Sequence, residues 1–322
     1  MVDDGRVRVA LACQGGGSHT AFTAGVLQRL LAEDRYDVVA LSGTSGGALC
    51  ALLAWYGLTQ GDPDLASRLL ESLWADLAAV EPWDVWFNQS LVTAGRLEGA
   101  VLLPAVSPYL MPTWGRDRIR RILVDRVPTV AFAEPTSEPL LLVGAVDVRS
   151  GEFTSFSSAA ADPHDRVSVD AVLASAAVPH LFRAMPVNDR LYWDGLFSQN
   201  PPVRDLFDAQ PHEIWVIRIN PKGVCDEPKQ WADIVDRRNE LAGNLSLEQE
   251  LYFMRKINEF VAAGHLKDTK YRHVRIEEIG IDHPLDLASK LDRTPAFLER
   301  LMAHGRAQAG RFLKQRGSKV PS

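Results

Sequence analysis

The chain has 322 residues, 46% of them hydrophobic and 24% charged, and a formal net charge of -6. That balance is sufficient for one large α/β domain or two small ones, and it supplies no basic patch of the kind nucleic-acid binders carry. The longest apolar run, Ala48 to Tyr56, falls far short of the roughly 20 residues needed to span a bilayer. The first residues carry acids where a signal peptide would carry bases, so a soluble, cytoplasmic protein is expected.

Strand and helix signals then alternate along the chain. Val7–Cys13 reads as a buried strand, and Phe22, Val26, Leu27, Leu30 and Leu31 follow at helical spacing. Asp37–Leu41 is a second strand and Gly46–Tyr56 an almost wholly apolar helix, with a third helix over 63–79. Residues 80–115 contain Trp83, Trp86 and Trp114 without a clear period. They are expected to form an irregular subdomain feeding the core, the alternative being an apolar wall or lid for an acyl chain. A strand over 139–148, a turn at Ser150-Gly151 and a returning strand come next. A helix over Ser168–Ala177, a short strand Arg190–Trp193 and a strand over 213–220 follow. The helical region over about 230–263 has its better part from Ser246, where Ser246 and Gln249 have capping-box spacing. Leu247, Leu251, Met254, Ile257 and Val261 form its apolar stripe. A strand over 271–277 and a helix begun by Thr294-Pro295 complete the chain. Alternating strands and helices imply an α/β fold, a mostly parallel sheet covered by helices on both faces. We expect a catalytic domain over 7–220, with 221–322 packed on it as an extension.

Two glycine-rich turns carry the chemistry. The first, "QGGGSHTAFTAG", lies between a strand and a helix, an order that builds an anion cradle from backbone N–H groups. The second, "LSGTSGGAL", has the G-x-S-x-G pattern in a strand–turn–helix context, with Gly43, Thr44, Ser45, Gly46 and Gly47 at the turn. A nucleophile raised on so sharp a turn leaves no room for side chains two residues to either side. The helix beginning at Gly46 aims its N–H groups and positive end at the reacting oxygen. A dinucleotide fingerprint would need a sixth-position glycine where Thr20 stands, and an acid where the second strand instead runs into Ser45. A Walker A loop would need Gly-Lys-Ser/Thr, which is absent. An oxyanion hole needs only donors, and Gly15, Gly16 and Gly17, supplemented by Gly46, can provide them.

Ser45 also needs a base. In a conventional triad the histidine comes last, and His212, His273 and His283 are late enough, though none has a convincing loop motif. His180 precedes the best acid, Asp194 of "LYWDGLFSQNPP", which ends a short apolar strand and is followed by Gly195. Alone, this Asp-Gly pair is equally consistent with a β-turn.

Taken as an ordered set, "GGGSHTAFTAGVL", "GTSGGAL", "SAAVPHLF" and "DGLFSQNPP" resemble the patatin-like phospholipases, in their bacterial branch. "GAVDVRSGEFTSF" and "DRRNELAGNLSLEQEL" extend the similarity, which runs from about residue 7 to about residue 275. The resemblance implies a three-layer α/β/α fold and a Ser–Asp dyad in place of a triad. Ser45 would be the nucleophile, Asp194 the base, and Gly15, Gly16 and Gly17 the oxyanion hole, acting on a lipid or ester substrate with no cofactor or metal. The chain departs from the family at His19 and Thr20, where Arg or Lys then Gly is usual, and at Leu196 of Asp194-Gly195-Leu196. It departs again near Arg183-Ala184, where the usual prolines are replaced. His19 is expected to be an exposed side chain at the start of a helix. A non-catalytic nucleotide- or acyl-binding protein is the reading from another class.

No CxxC or Cys/His cluster suggests a metal. Cys13 and Cys50, in apolar runs, are expected to be buried reduced thiols, and Cys225 stands apart from both. The C-terminal Arg311, Lys314, Arg316 and Lys319 read as cations favoured at a helix end rather than as a lipid-binding patch. Peripheral contact with membranes is left open, as is the oligomeric state.

Overall fold

Alternation along the first strand separates two cores. In β1 (Val7–Cys13), Val9, Leu11 and Cys13 belong to one buried apolar cluster and Ala10 and Ala12 to another, because successive side chains of a strand point to opposite faces. The computed structural model describes residues 5–97, 106–179, 181–224, 226–266 and 271–317. His180, Cys225 and Lys319 of the sequence reading lie outside them.

The further elements are α1 (Ala21–Leu31), β2 (Tyr36–Gly43), α2 (Gly46–Thr59), α3 (Pro63–Leu77), α4 (Pro82–Leu97) and α5 (Trp114–Arg126). They continue as β3 (Leu140–Asp147), β4 (Phe153–Ser157), α6 (Val169–Ser175), β5 (Met185–Val187), β6 (Arg190–Asp194) and β7 (Glu213–Arg218), then α7 (Trp231–Ala262), β8 (Arg275–Gly280) and α8 (Pro295–Gly317). The sheet order is β5-β6-β3-β2-β1-β7-β8, with β4 also paired to β3. The run β3-β2-β1-β7-β8 is parallel, and β4, β5 and β6 add antiparallel pairings at one end. Phe22, Leu52, Leu70, Leu123, Leu173 and Leu301 cover one face of the sheet. The stripe Leu247, Leu251, Met254 and Ile257 of α7 covers the other, together with Val203, Leu206 and Phe207. The α/β class and the two helical layers are as the alternation implied.

Three local expectations change. Residues 82–97 are a regular helix, and Trp83, Trp86 and Phe87, at i, i+3 and i+4, stack on one another on its outer face, 63%, 58% and 44% exposed. The aromatic stripe keeps a helical period but faces outward, while Val92 on the same helix is buried. The helix α7 runs unbroken from Trp231, leaving Ser246 in its middle with a hydroxyl that caps nothing and has no partner; packing of the stripe on the sheet outweighs the local signal. Strand β8 begins at Arg275 rather than 271.

The helices α1 and α8 meet through glycine. A Cβ at Gly25 would overlap the carbonyl oxygen of Met302, and one at Gly305 that of Phe22. Gly310, also in α8, has open space around it. Gly305→Ala should therefore lower unfolding stability by about 2 kcal/mol. Gly310→Ala should leave it unchanged or raise it by about 0.5–1 kcal/mol through helix propensity. Urea titration of the two variants checks both.

Candidate active site

The two residues singled out for chemistry are brought together by one edge of β3. Strand β2 pairs with β3 as far as Gly43 opposite Val143. Strand β6 pairs with β3 from Tyr192 opposite Asp147 to Asp194 opposite Ala145. Because β4 pairs with Leu142 through Val146 on the opposite edge, β2 and β6 must share an edge. The turn after Gly43 and the end of β6 at Asp194 therefore converge, at the carboxyl end of the parallel strands where α/β sites form.

Ser45 is the turn. Its φ of 57° and ψ of -130° lie in a region that L-residues rarely occupy, at a cost of about 1–3 kcal/mol. Several bonds hold it there. The Ser45 N–H donates to Ser175 Oγ at 3.0 Å, the Ser45 carbonyl accepts from Ala48 N at 2.9 Å, and Thr44 Oγ1 donates to the Gln199 carbonyl at 2.6 Å. The flanking glycines answer to space: a Cβ at Gly43 would lie 2.6 Å from the Gly47 carbonyl, and one at Gly47 would overlap that of Cys13. Behind the turn, α2 is buried from Gly46 to Trp55, so its start cannot shift.

Asp194 is 1% exposed and Ser45 8%. The carboxylate accepts the Leu196 N–H at 2.8 Å, and the Ser45 hydroxyl lies close enough to favour its charged form. Its own N–H donates to the Ala177 carbonyl at 3.0 Å. Gly195 packs so closely on β3 that a Cβ would lie 2.6 Å from the Gly144 carbonyl. Burial pushes the Asp194 carboxyl up to about 7, opposed by the Ser45 hydroxyl, the Leu196 N–H and the positive charge of Lys290.

The glycine loop lies against this pair, with the Cβ position of Gly15 only 2.8 Å from Ser45 Cβ. Gly15 differs from its expected role, for its N–H is donated to Asn200 Oδ1 at 2.7 Å. Gly16 is extended, Gly17 has a φ of +56°, and a 3-10 turn begins there. His19 is buried rather than exposed. Its Nε2 is 2.7 Å from Ser289 Oγ, whose proton goes to the Asp286 carbonyl, so the imidazole is the donor. Burial and the Lys290 charge lower its pKa to about 3, which keeps it neutral. Thr20 Oγ1 donates to the Gly17 carbonyl at 2.6 Å and fills the space beside Gly46.

The late histidines are placed otherwise. His212 and His273 precede β7 and β8, at the amino edge opposite Ser45, and His212 Nδ1 accepts the Arg8 N–H at 3.2 Å. His283 follows β8 and faces Asp282 at 3.3 Å. Among the described residues, Asp282, His283 and His304 are the one set close enough to share a metal ion, and Asp282 there already pairs with Arg311 and His304. Arg311 and, through Glu213 and Glu277, Arg316 are thus ion-paired, and Lys314 and Arg316 stand in the last turn of α8.

Four supporting residues escaped the sequence reading. Gln14 Oε1 accepts from Ile219 N and Asn220 N at 2.8 and 3.0 Å, while its Nε2 donates to Asn244 Oδ1 at 2.8 Å, tying the loop to β7 and α7. Ser175 holds the serine turn, Asn200 the glycine loop, and Lys290 faces both the loop and the carboxylate. Only the position of Gln14, Ser175 and Asn200 inside the quoted motifs hinted at them.

A serine on a strand-to-helix turn, beside a buried aspartate at the carboxyl edge of a parallel sheet, places the chain among α/β proteins with a hydrolase-like elbow. The family profile described as "Patatin-like phospholipase" matches residues 11–207, and the chain belongs to that family. A "Patatin-like phospholipase domain-containing protein" of Pyricularia oryzae (strain 70-15 / ATCC MYA-4617 / FGSC 8958) is 31% identical over 185 residues, 53% of this chain and 20% of its own length. One of Chaetomium globosum is 35% identical over 92 residues, 28% of this chain and 10% of its own. This chain thus matches a fifth or less of those curated relatives. Both are fungal, whereas the motif resemblance pointed to the bacterial branch. Among solved structures, VipD from Legionella pneumophila is similar at a TM-score of 0.44 and 12% identity, over 97% of this chain and 67% of its own. ExoU in its complex with SpcU from Pseudomonas aeruginosa is similar at 0.38 and 14%, over 97% and 52%.

The raised Asp194 pKa has two consequences. With Asp194 as base its carboxyl would have to be ionised, so kcat/KM for ester hydrolysis should climb with pH along an acid limb centred near 7. For stability, a folded pKa above the unfolded one gives a contribution present below about pH 4 and lost as pH rises through about 7. Asp194→Asn should accordingly melt several degrees above the native protein at about pH 8 and close to it at about pH 4, as differential scanning fluorimetry at the two pH values would record.

Proposed function

We propose that this chain is a serine acyl hydrolase acting on lipid esters through a Ser45–Asp194 dyad. The observation that carries the reading is the convergence of Ser45, on a strained turn at the N-terminal end of α2, with the buried carboxylate of Asp194, whose pKa is raised. Ser45 Oγ attacks the ester carbonyl carbon as Asp194 takes its proton. The N–H groups of Gly16, Gly17 and Gly46 face the negative oxygen of the tetrahedral intermediate. Gly15, its N–H engaged by Asn200, braces the loop instead. Collapse of the intermediate expels the alcohol, which receives the proton from Asp194, and leaves an acyl-serine. Water attacks this ester, giving its proton to Asp194, and the acid departs as Ser45 is reprotonated. Burial makes the carboxylate a stronger base than a solvated one, which is what a dyad without imidazole requires.

The substrate reading draws on the family and on the surface. Trp83, Trp86 and Phe87 of α4 and Tyr109, Leu110, Met111 and Trp114 before and in α5 are all exposed. Arg183, in the segment after α6, binds the carbonyls of Pro108, Tyr109 and Met111, tying this surface to the stretch that leads to Asp194. Residues 106–126 hold five arginines against two aspartates in a chain of net charge -6. Arg116, Arg118, Arg120 and Arg126 are ion-paired with Asp117, Asp84, Asp170 and Asp76, so it is the exposed aromatics that suit peripheral contact with a lipid surface. No helix among the described residues is long and apolar enough to cross a membrane.

Ser45→Ala and Asp194→Asn should each cut hydrolysis of p-nitrophenyl butyrate by about 10³-fold or more while keeping the native circular dichroism. Fluorophosphonate labelling should be lost in Ser45→Ala; near-native turnover in both variants would refute the dyad. Replacing Trp83, Trp86 and Phe87 together by Ala should spare the soluble ester. It should lower hydrolysis and co-sedimentation with phosphatidylglycerol vesicles about tenfold or more; undiminished vesicle binding would remove the lipid-surface assignment.

A further inference from the structure

The glycine loop is braced by a short segment far along the chain, outside the matched family region. A 3-10 turn at Ala288–Leu291 meets it directly at two points and, through Asn220, at a third. A Cβ on Gly17 would overlap the Lys290 carbonyl, so the two backbones are in contact. The buried His19 is bonded to Ser289 Oγ at 2.7 Å. Lys290 Nζ donates to Asn220 Oδ1 at 2.9 Å and to Asn239 Oδ1 at 3.0 Å, and the N–H of Asn220 is held by Gln14 at the root of the loop. The turn is fixed from behind as well. Asp236 Oδ1 of α7 accepts the Leu287 N–H at 3.2 Å, and Asn88 of α4 bonds the Leu291 carbonyl and the Arg293 N–H at 2.6 and 3.0 Å.

We propose that Lys290 is a positioning residue for the proposed acyl transfer, its ammonium and backbone together holding the glycine loop in donor geometry beside Ser45 and Asp194. The inference rests on the dyad reading. Lys290 lines a small polar cavity with His19, Asn220, Asp236, Glu240 and His283. The charged and titratable groups that face it are Asp236 and Glu240 from α7, Asp194 from the end of β6, His19 from the loop, His283 from the segment after β8, and Asp286 from its own segment. Two amide oxygens accept its protons, and its charge acts most on Glu240 and Asp236 and also on Asp194, where it favours the carboxylate. Burial lowers the Lys290 pKa to about 8. Above that pH the ammonium loses one donor and its charge, while Asp194 stays ionised.

The expected pH profile is a bell, with its acid limb from Asp194 near 7 and its alkaline limb from Lys290 near 8. Lys290→Met should lower kcat on p-nitrophenyl butyrate about tenfold to a hundredfold at nearly unchanged KM. It should also slow fluorophosphonate labelling of Ser45, remove the alkaline limb and move the acid limb upward. Lys290→Arg keeps the charge at all these pH values, so it should recover part of kcat and carry the alkaline limb out of range. This variant also separates a charge effect from loss of folding, since both substitutions alter the packing of the turn. A native kcat and a native bell in Lys290→Met, with Ser45→Ala inactive, would overturn the inference and leave the dyad standing. Equal loss in both Lys290 variants with an unshifted bell would overturn it too. Activity surviving in Ser45→Ala would sink the dyad reading, and this one with it.

Discussion

One edge of β3 serves two strands, and the candidate site depends on that division. Strand β2 occupies the first part of the edge and stops at Gly43; β6 takes up the remainder and ends at Asp194. A chain leaving β2 must turn sharply to avoid β6, and the strained dihedrals of Ser45 are the result. The same arrangement denies Asp194 solvent, because β3, the serine turn and the segment after α6 enclose it. Burial raises the carboxyl pKa, and a hydroxyl placed by the turn meets it. Strain in the backbone and destabilisation of a charge thus share one topological cause, and the buried body of α2 and the two cores sustain both.

Around that pair the polar groups are arranged in series. Gln14 joins the root of the glycine loop to β7 and α7, and Asn200 joins Gly15 to Gly243 of α7. Ser175 takes the N–H of the nucleophile. Each is an amide or hydroxyl that satisfies a backbone group which would otherwise be buried without a partner. Among the described residues, Lys290 is the cation whose field bears on Asp194. Where the family resemblance leads one to expect Arg or Lys, position 19 holds a neutral imidazole. A positive charge reaches the same neighbourhood from residue 290, about 270 residues later in the chain.

Much of this was legible before any coordinates. The strands and most helices follow from apolar period, and the Gly-x-Ser-x-Gly turn and the Asp-Gly pair stand in their strand-end contexts. The misreadings have physical reasons. The aromatics of α4 do keep a helical period, but period alone does not say whether a stripe faces the core or the solvent. Ser246 and Gln249 have the spacing of a cap, yet the burial of the α7 stripe continues the helix past it. His19 looks like an exposed residue because it follows a glycine loop, and only the arrival of Ser289 and Phe297 encloses it.

The sequence by itself determined the local grammar: which segments are strands or helices, where two turns demand glycine, and which serine and aspartate have the right settings. Those choices are governed by neighbours within a few residues, whose sterics and hydrogen bonds a linear reading can follow. Tertiary structure alone decided that Asp194 meets Ser45, that Gly15 donates to Asn200, and that Lys290 and Ser289 brace the glycine loop. These contacts join residues 149, 185 and some 270 positions apart, and they arise from shared strand edges and crossing backbones, which no local pattern encodes.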